Sequence, residues 1–559
     1  MSELHLVADG GRSRVERSDQ RGDGGLFGQR NDPGGSENGD VAAPSGDRRV
    51  GVGDVERHRG GGAECREHGS YDRGLHPTGR GVESTRPPGE RGGTVTQLIA
   101  RDVLEEVLGA ALRAGGDFAE VFAEDRRTTN GRFDDGRVEE LVSGRDRGVG
   151  LRVVRGDTTG FAHTSDCTRD GLLRAAEAAA AAARAGGGGT RVVPLEPVRA
   201  GALAPGTIDP AEVDKADKAA LLARADAAAR AEGGAVRSVT ATYADARRRI
   251  LVANSEGLHA TDDQVRTRLA VQCVASGDTG MQTGFEAPGR TMGVELFDEI
   301  GPEEIGRRAA RRALDLLDAA PAPSGRLPVV LRRGAGGVLF HEACGHGLEA
   351  DHVQKDATVF AGRVGERVAS PHVTLVDDGT YGREWGTIAI DDEGHPARRN
   401  VLIEDGVLTD YLWDTVRSRK AGRAPSGSGR RESYRCLPMP RMTNTFLLAG
   451  ETEPDDIIRG VERGIYCVQL GGGQVDPATG DFVFGITEAY RIEGGEVTVP
   501  IRAAQLIGNG PEVLQMVDAV GNDFETWTGM CGKQGQSVPV SAGQPTVLVR
   551  EMTVGGTAA

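Results

Sequence analysis

The chain runs to 559 residues, past the ~250–300 at which a single hydrophobic core stops growing, so it is read as more than one domain, not as a small disulfide-stapled module. Asp and Glu outnumber Lys and Arg by 83 to 67, a formal net charge of -16, which argues against polyanion binding and excludes nucleic acid as the main partner. No run approaches the ~18 consecutive apolar residues of a membrane span, the N-terminus lacks a signal-peptide core, and the seven cysteines (65, 167, 273, 344, 436, 467, 531) are odd in number and scattered, so no membrane association and a reducing, cytoplasmic location are expected.

Residues 1–94 are Gly- and Arg-rich, contain no Lys and have too few apolar residues to form a face. They are expected to be a disordered tail, or an artefact of a start assigned upstream of Val95. From Thr96 the spacing turns helical, with Leu98, Ile99, Val103, Leu104, Val107, Leu108 and Leu112 on one face before Gly115-Gly116. Short strands are predicted at Ala119–Phe122, Val138–Val142, Gly148–Val154 and Thr159–His163, helices at Gly171–Ala185 and Lys218–Glu232, and further strands at Val236–Tyr243 and Arg249–Val252. A Pro302-led helix through Asp318 ends at Pro321-Ala322-Pro323, the expected domain boundary. Beyond it come a strand, Leu327–Leu331, one apolar helix, and many short strands, among them Val373–Val376, Thr387–Ile390, Val401–Ile403, Tyr466–Leu470 and Ala489–Ile492. The fold class is α+β in two domains: residues 95–321, an α/β-type sheet-and-helix unit, and 322–559, a mostly antiparallel β unit carrying the helix with the chemistry.

That helix contains His341-Glu342-Ala343-Cys344-Gly345-His346-Gly347-Leu348-Glu349-Ala350-Asp351. Two histidines beside a glutamate resemble a zinc hydrolase helix, in which imidazoles hold the metal and the carboxylate takes a proton from the attacking water. The histidines are five apart instead of four, which on a regular helix separates them by about 140° instead of about 40°. Gly345 can relieve this through a widened π-type turn or an early helix end. A third ligand is needed. Glu349 and Asp351 lie just downstream, Cys344 is constrained by its place in the motif, and Cys467 follows a strand. Cys531 sits in the turn-rich Thr528–Gly535, where a flexible loop and Lys533 beside it favour a thiolate.

Residues 341–351 and the C-terminal third resemble the TldD family, the catalytic type of the TldD/TldE (PmbA) peptidases. The specific strings are His341–Asp351, Leu437–Thr445, Gly471–Asp476 and Cys531–Val540, and the resemblance extends from about Val95 to the end. It implies a zinc metallopeptidase with one Zn2+ per chain, held by His341, His346 and Cys531, with Glu342 as the catalytic glutamate. It also implies a two-domain subunit that pairs with a TldE/PmbA-type paralogue, or failing that with itself, around a chamber for unfolded peptides. Residues 1–94 have no counterpart in that pattern, and Cys344 would be a second thiol near the metal, open to oxidation.

In such a site Glu342 accepts the water proton and passes it to the leaving amine. Glu349 and Asp351 would accept the N–H groups of the ligand imidazoles, or else cap and solvate the helix. Gly471, Gly472 and Gly473 would let an extended substrate pair with the main chain, or else form a plain turn. Two other activities fit the same residues: maturation of a modified peptide or hydrolysis of a non-peptide amide by the same metal, and a non-catalytic metal-containing scaffold or regulatory subunit.

Overall fold

The structure is a computed structural model that describes residues 5–9, 98–183, 192–198, 207–278, 280–334 and 336–556. Of the segment 1–94, only His5–Asp9 falls within the described residues, as a strand antiparallel to Thr158–Thr164; this short element departs from the expectation that the segment carries none.

A nine-stranded sheet is built on a hairpin longer than the sequence predicts. Phe118–Asp134 and Arg137–Arg155 pair along their whole length, and Val236–Asn254 and Leu258–Gly277 continue the sheet. The hairpin turn is Asp135-Gly136, both at positive φ (44° and 82°), as a two-residue turn matched to strand twist requires. The predicted strands omit the polar stretches 123–137 and 143–147, which the hairpin includes. Their charges are met across the sheet, Asp125 taking Arg145 at 2.8 and 2.7 Å and Arg249 at 2.6 Å. Arg101–Leu112 and Arg169–Ala182 cover one part of the sheet with Leu104, Leu108, Leu172 and Ala176, while Lys215–Ala231 and Pro302–Asp315 bury Leu222, Ala225, Ile305 and Ala309 against another.

Two further sheets draw only on residues after Ala319. An eight-stranded sheet centres on Gly325–Leu331, parallel to Arg463–Val475 and antiparallel to Val547–Gly555. A six-stranded sheet runs Val407–Leu408, Arg399–Glu404, Leu375–Asp378, Asn444–Leu447, Gln536–Gln544, Glu525–Lys533. Thr387–Ile390 is not a strand; it lies in a loop with one isolated bridge, Ile390 to Pro396. Its alternation is spent elsewhere, Thr387 O and the nearby Trp385 O accepting from Arg266 of the first sheet.

The single apolar helix expected after Leu331 is instead a chain of short turns: α-helix Gly337–Phe340, π-helix His341–Gly345, 3-10 helix His346–Leu348 and α-helix Ala350–Val353. Close packing holds it there. A Cβ on Gly337 would stand 2.4 Å from Gly543 N, and one on Gly345 2.2 Å from the Met442 sulfur. Among the described residues no helix is long and apolar enough to cross a membrane.

Candidate metal centre

The π-helix supplies the relief that the five-residue spacing demanded. His346 N–H closes on His341 O, a turn one residue wider than α, and the two imidazoles come to lie 5.2 Å apart between centroids and almost perpendicular, at 86°. Opposite them stands Cys531. Its sulfur is 3.2 Å from His341 Nε2 and 3.3 Å from His346 Nε2. The three donor atoms lie within 4.8 Å of one another, all buried.

Cys531 is not in a flexible exposed loop. It lies on the strand Glu525–Lys533, opposite Val538, in a hairpin closed by Gln534-Gly535, again at positive φ (49° and 75°). The Gly and polar content suggested a loop, but it belongs to a ribbon whose buried face is Cys531, Val538 and Val540. Arg441, wholly buried, fixes the strand from behind by donating to Cys531 O at 2.5 Å. Lys533 does not activate the thiol: its ammonium donates to Glu349 Oε2 at 2.8 Å, Asp351 Oδ1 at 2.6 Å and Pro440 O at 3.3 Å. Burial would raise the Cys531 pKa, but the facing His341 and His346 outweigh it and hold the thiol well below its usual range. Burial likewise opposes charge on both imidazoles, and the thiolate, joined at His346 by Glu349, lifts each above its ordinary value.

Glu349 accepts from His346 Nδ1 at 2.9 Å, which leaves Nε2 free to face the sulfur. Despite full burial its carboxyl is held low, chiefly by Lys533 and then by His346. Asp351 meets Lys533 and not an imidazole, so the expected pairing of both carboxylates with ligand imidazoles applies to Glu349 alone; His341 Nδ1 is buried without a partner. Glu342 Oε2 lies 3.7 Å from His346 Nε2, and its side chain is 27% exposed against 9% for that of His346. Gly471, Gly472 and Gly473 stand on the strand Arg463–Val475 where the register slips between Leu470 and Gly473, and Gly472 and Gly473 are exposed.

The donor set fits zinc. For tetrahedral zinc with Zn–N near ~2.0 Å and Zn–S near ~2.3 Å, nitrogen and sulfur should stand about 3.5 Å apart. The observed 3.2 and 3.3 Å are close to that edge. Sequence profiles of PmbA/TldA metallopeptidase domain 1, central domain and C-terminal domain match residues 119–183, 208–317 and 324–556. The Metalloprotease TldD homolog of Haemophilus influenzae is 40% identical over 453 residues, 79% of this chain and 93% of its own length. The chain belongs to the PmbA/TldD metallopeptidase family. As a TldD-type chain it is a peptide hydrolase by class. A Saccharolobus solfataricus relative named zinc metalloprotease TldD homolog is 30% identical over 262 residues, 47% of this chain and 58% of its own. The solved structure of TldE from Thermococcus kodakarensis shares the fold, with a TM-score of 0.66 at 21% identity over 81% of this chain and 100% of that one.

Two cysteines weighed as ligands in this TldD-type chain turn away from the centre. Cys344 Sγ donates to Phe340 O at 2.8 Å in the apolar core, and burial pushes its pKa up to about 12, so it stands as a core thiol and not as part of the donor cluster. Cys467 is likewise a core residue pushed up to about 12 by burial. The sequence reading missed the bridging role of Lys533 and the clamp from Arg441. The string Pro440-Arg441-Met442 held the clue, since Pro440 O meets Lys533, Arg441 holds Cys531, and Met442 packs on Gly345.

Proposed function

We propose that this chain is a zinc-dependent peptidase in which His341, His346 and Cys531 hold one Zn2+ and Glu342 is the general base. The observation that carries it is the convergence of two imidazoles and one thiol from segments about 190 residues apart, with one carboxylate left open beside them. Among the described residues no fourth His, Cys, Asp or Glu joins the group, which favours an open catalytic site over the closed four-ligand set of a scaffold. Bound there, zinc would polarise the scissile carbonyl and acidify a water. Glu342 accepts the proton of that water and returns it to the leaving amine. A thiolate ligand lowers the effective positive charge of the centre, so more of the deprotonation falls to Glu342. Lys533 fixes Glu349, and Glu349 fixes the tautomer of His346 by holding its Nδ1–H.

The register slip at Gly471 and Gly472, with Gly472 and Gly473 exposed, supports an extended, unfolded peptide held by main-chain hydrogen bonds. The likeness to TldE supports pairing with a TldE/PmbA-type paralogue. Six unpaired cysteines among the described residues suit the cytoplasm. The test is paired: Glu342→Gln should retain zinc by elemental analysis and lose roughly 10²–10⁴ in turnover of an unfolded peptide, assayed with any copurifying subunit. Near-normal turnover with zinc bound would remove Glu342 from the reaction, and loss of zinc would recast it as a ligand.

A further inference from the structure

Beside the strand that carries Cys531 lies a cavity of about 270 Å³ whose lining includes Arg126, Arg248, Arg266, Arg268, Arg430 and Arg431. Met530, which precedes Cys531, and Val538, its cross-strand partner, line the same space. Two of these arginines are neutralised: Arg248 by Glu124 at 2.6 Å and Asp392 at 2.8 Å, and Arg431 by Glu120 at 2.5 Å. Among the described residues no carboxylate forms an ion pair with the other four. Arg266 is buried, and its guanidinium meets only neutral acceptors, Trp385 O at 2.8 Å, Gln264 Oε1 at 2.8 Å and Thr387 O at 3.0 Å. Arg430 is equally buried and meets Met442 O at 2.6 Å and Pro539 O at 2.8 Å. Arg268 Nε is buried without a partner.

The two carboxylates in the lining do not balance this charge. Asp245 is taken by Lys218 at 2.6 Å, and Glu432 is exposed and accepts from Ser537 N at 3.0 Å. The crowding is felt by the groups themselves. Burial, and then repulsion from Arg430 and Arg248, pushes Arg266 down to about 9, and burial brings Arg430 down to about 10. Buried charge of one sign is a poor resting state unless a counter-charge arrives. Planar guanidiniums held in place by neutral acceptors are suited to bidentate capture of a carboxylate.

We propose that this cavity is an anion subsite that takes a carboxylate of the peptide substrate, an inference that rests on the peptidase reading above. Its volume falls just below the ~300–1,000 Å³ of small-molecule pockets, which suits one residue and not a folded segment. It is coupled to the metal turn through Met442, whose carbonyl holds Arg430 while its sulfur packs on Gly345. The carboxylate has two sources, the α-carboxylate of a C-terminal residue or an Asp or Glu side chain.

The probes are succinate, and a set of matched peptides with a free C-terminus, an amidated C-terminus, and Asp replaced by Asn. The proteins are the full zinc-loaded chain and its half-buried variants Arg126→Gln and Arg268→Gln, chosen because Arg266 and Arg430 are structural as well. Succinate at constant ionic strength should raise the melting midpoint of the wild type, with apparent affinity falling roughly 10- to 100-fold in each variant. No rise in the wild type, or an equal rise in both variants, overturns the subsite. In turnover, KM should be lower for the peptide bearing the carboxylate, the difference closing in the variants while kcat holds. A penalty on amidation assigns the α-carboxylate and a penalty on Asp→Asn the side chain, either upholding the proposal; equal KM for all three peptides overturns it. Succinate binding with no turnover of any peptide, assayed with any copurifying subunit present, upholds the anion site and sinks the peptidase reading instead.

Discussion

Lys533→Met removes one cation from a place where two carboxylates depend on it. The ammonium is 2.8 Å from Glu349 and 2.6 Å from Asp351, with side-chain exposures of 6%, 0% and 2%. Taking one partner from a buried ion pair typically costs about 3–5 kcal/mol, because the remaining charge stays desolvated. In metal-free protein His346 can carry a compensating proton against Glu349, so the low end of that range is expected at pH 7. The pH dependence has a defined sign. Lys533 holds the Glu349 pKa below its ordinary 4.5, so this stabilisation is complete above pH 4.5 and is lost as pH falls below it. Thermal melts of chelator-treated wild type and variant from pH 7 to pH 3.5 should therefore show a gap that is widest near neutrality and narrows below about pH 4.5. A second effect passes through His346, whose Nδ1–H loses a firmly placed acceptor, and zinc affinity measured by chelator competition should fall roughly 10- to 100-fold. A stability gap that is absent at pH 7, or that fails to narrow on acidification, refutes the charge argument. Unchanged zinc affinity refutes the coupling of Lys533 to the metal centre.

His346→Ala should reduce bound zinc from one per chain to near zero by elemental analysis, since only two donors remain; full stoichiometry would require another ligand. Gly510→Ala would place a Cβ 2.1 Å from Ala343 O, inside the π-helix, and because backbone cannot yield like a side-chain tip it should lower stability by ~1–3 kcal/mol and weaken zinc retention. Gly472→Ala, with nothing within 4 Å of its Cβ, should leave the melt unchanged. Glu393, fully buried, is held down to about 2 by Arg152 and His395 against the effect of burial. Its contribution, on the order of 3 kcal/mol, is complete above pH 4.5 and lost toward pH 2, so the stability difference between wild type and Glu393→Gln should shrink across that window. Asp414 beside it, pushed up to about 6 by burial and then by Glu393, acts in the opposite direction, and Glu393→Gln relieves the part of that shift that Glu393 causes.

Local signals were sufficient for the four helices that cover the first sheet. The apolar spacing from Leu104 to Leu112, the Ala-rich faces of Arg169–Ala182 and Lys215–Ala231, and Pro302 at a helix start all act within one or two turns, and those elements stand within a few residues of their expected bounds. The five-residue interval between His341 and His346, with Gly345 inside it, was likewise enough to exclude a regular helix, leaving a widened turn or an early helix end, and packing decided for the π-turn. Other features depended on partners distant in the chain. The polar halves of Phe118–Asp134 and Arg137–Arg155 are strands because Asp125 finds Arg249 across the sheet, an interaction that no period-two pattern records. Cys531 is a buried strand residue because Arg441 and Val538 flank it, and Lys533 serves Glu349 and Asp351, about 180 residues away, instead of its neighbour in sequence. The arginine cavity is the clearest case, drawing Arg126, Arg266 and Arg430 from three separate strands. Residue types and spacing determine which local turn forms and which donors are on offer, whereas burial and long-range pairing decide which charges are neutralised and which remain to meet a ligand.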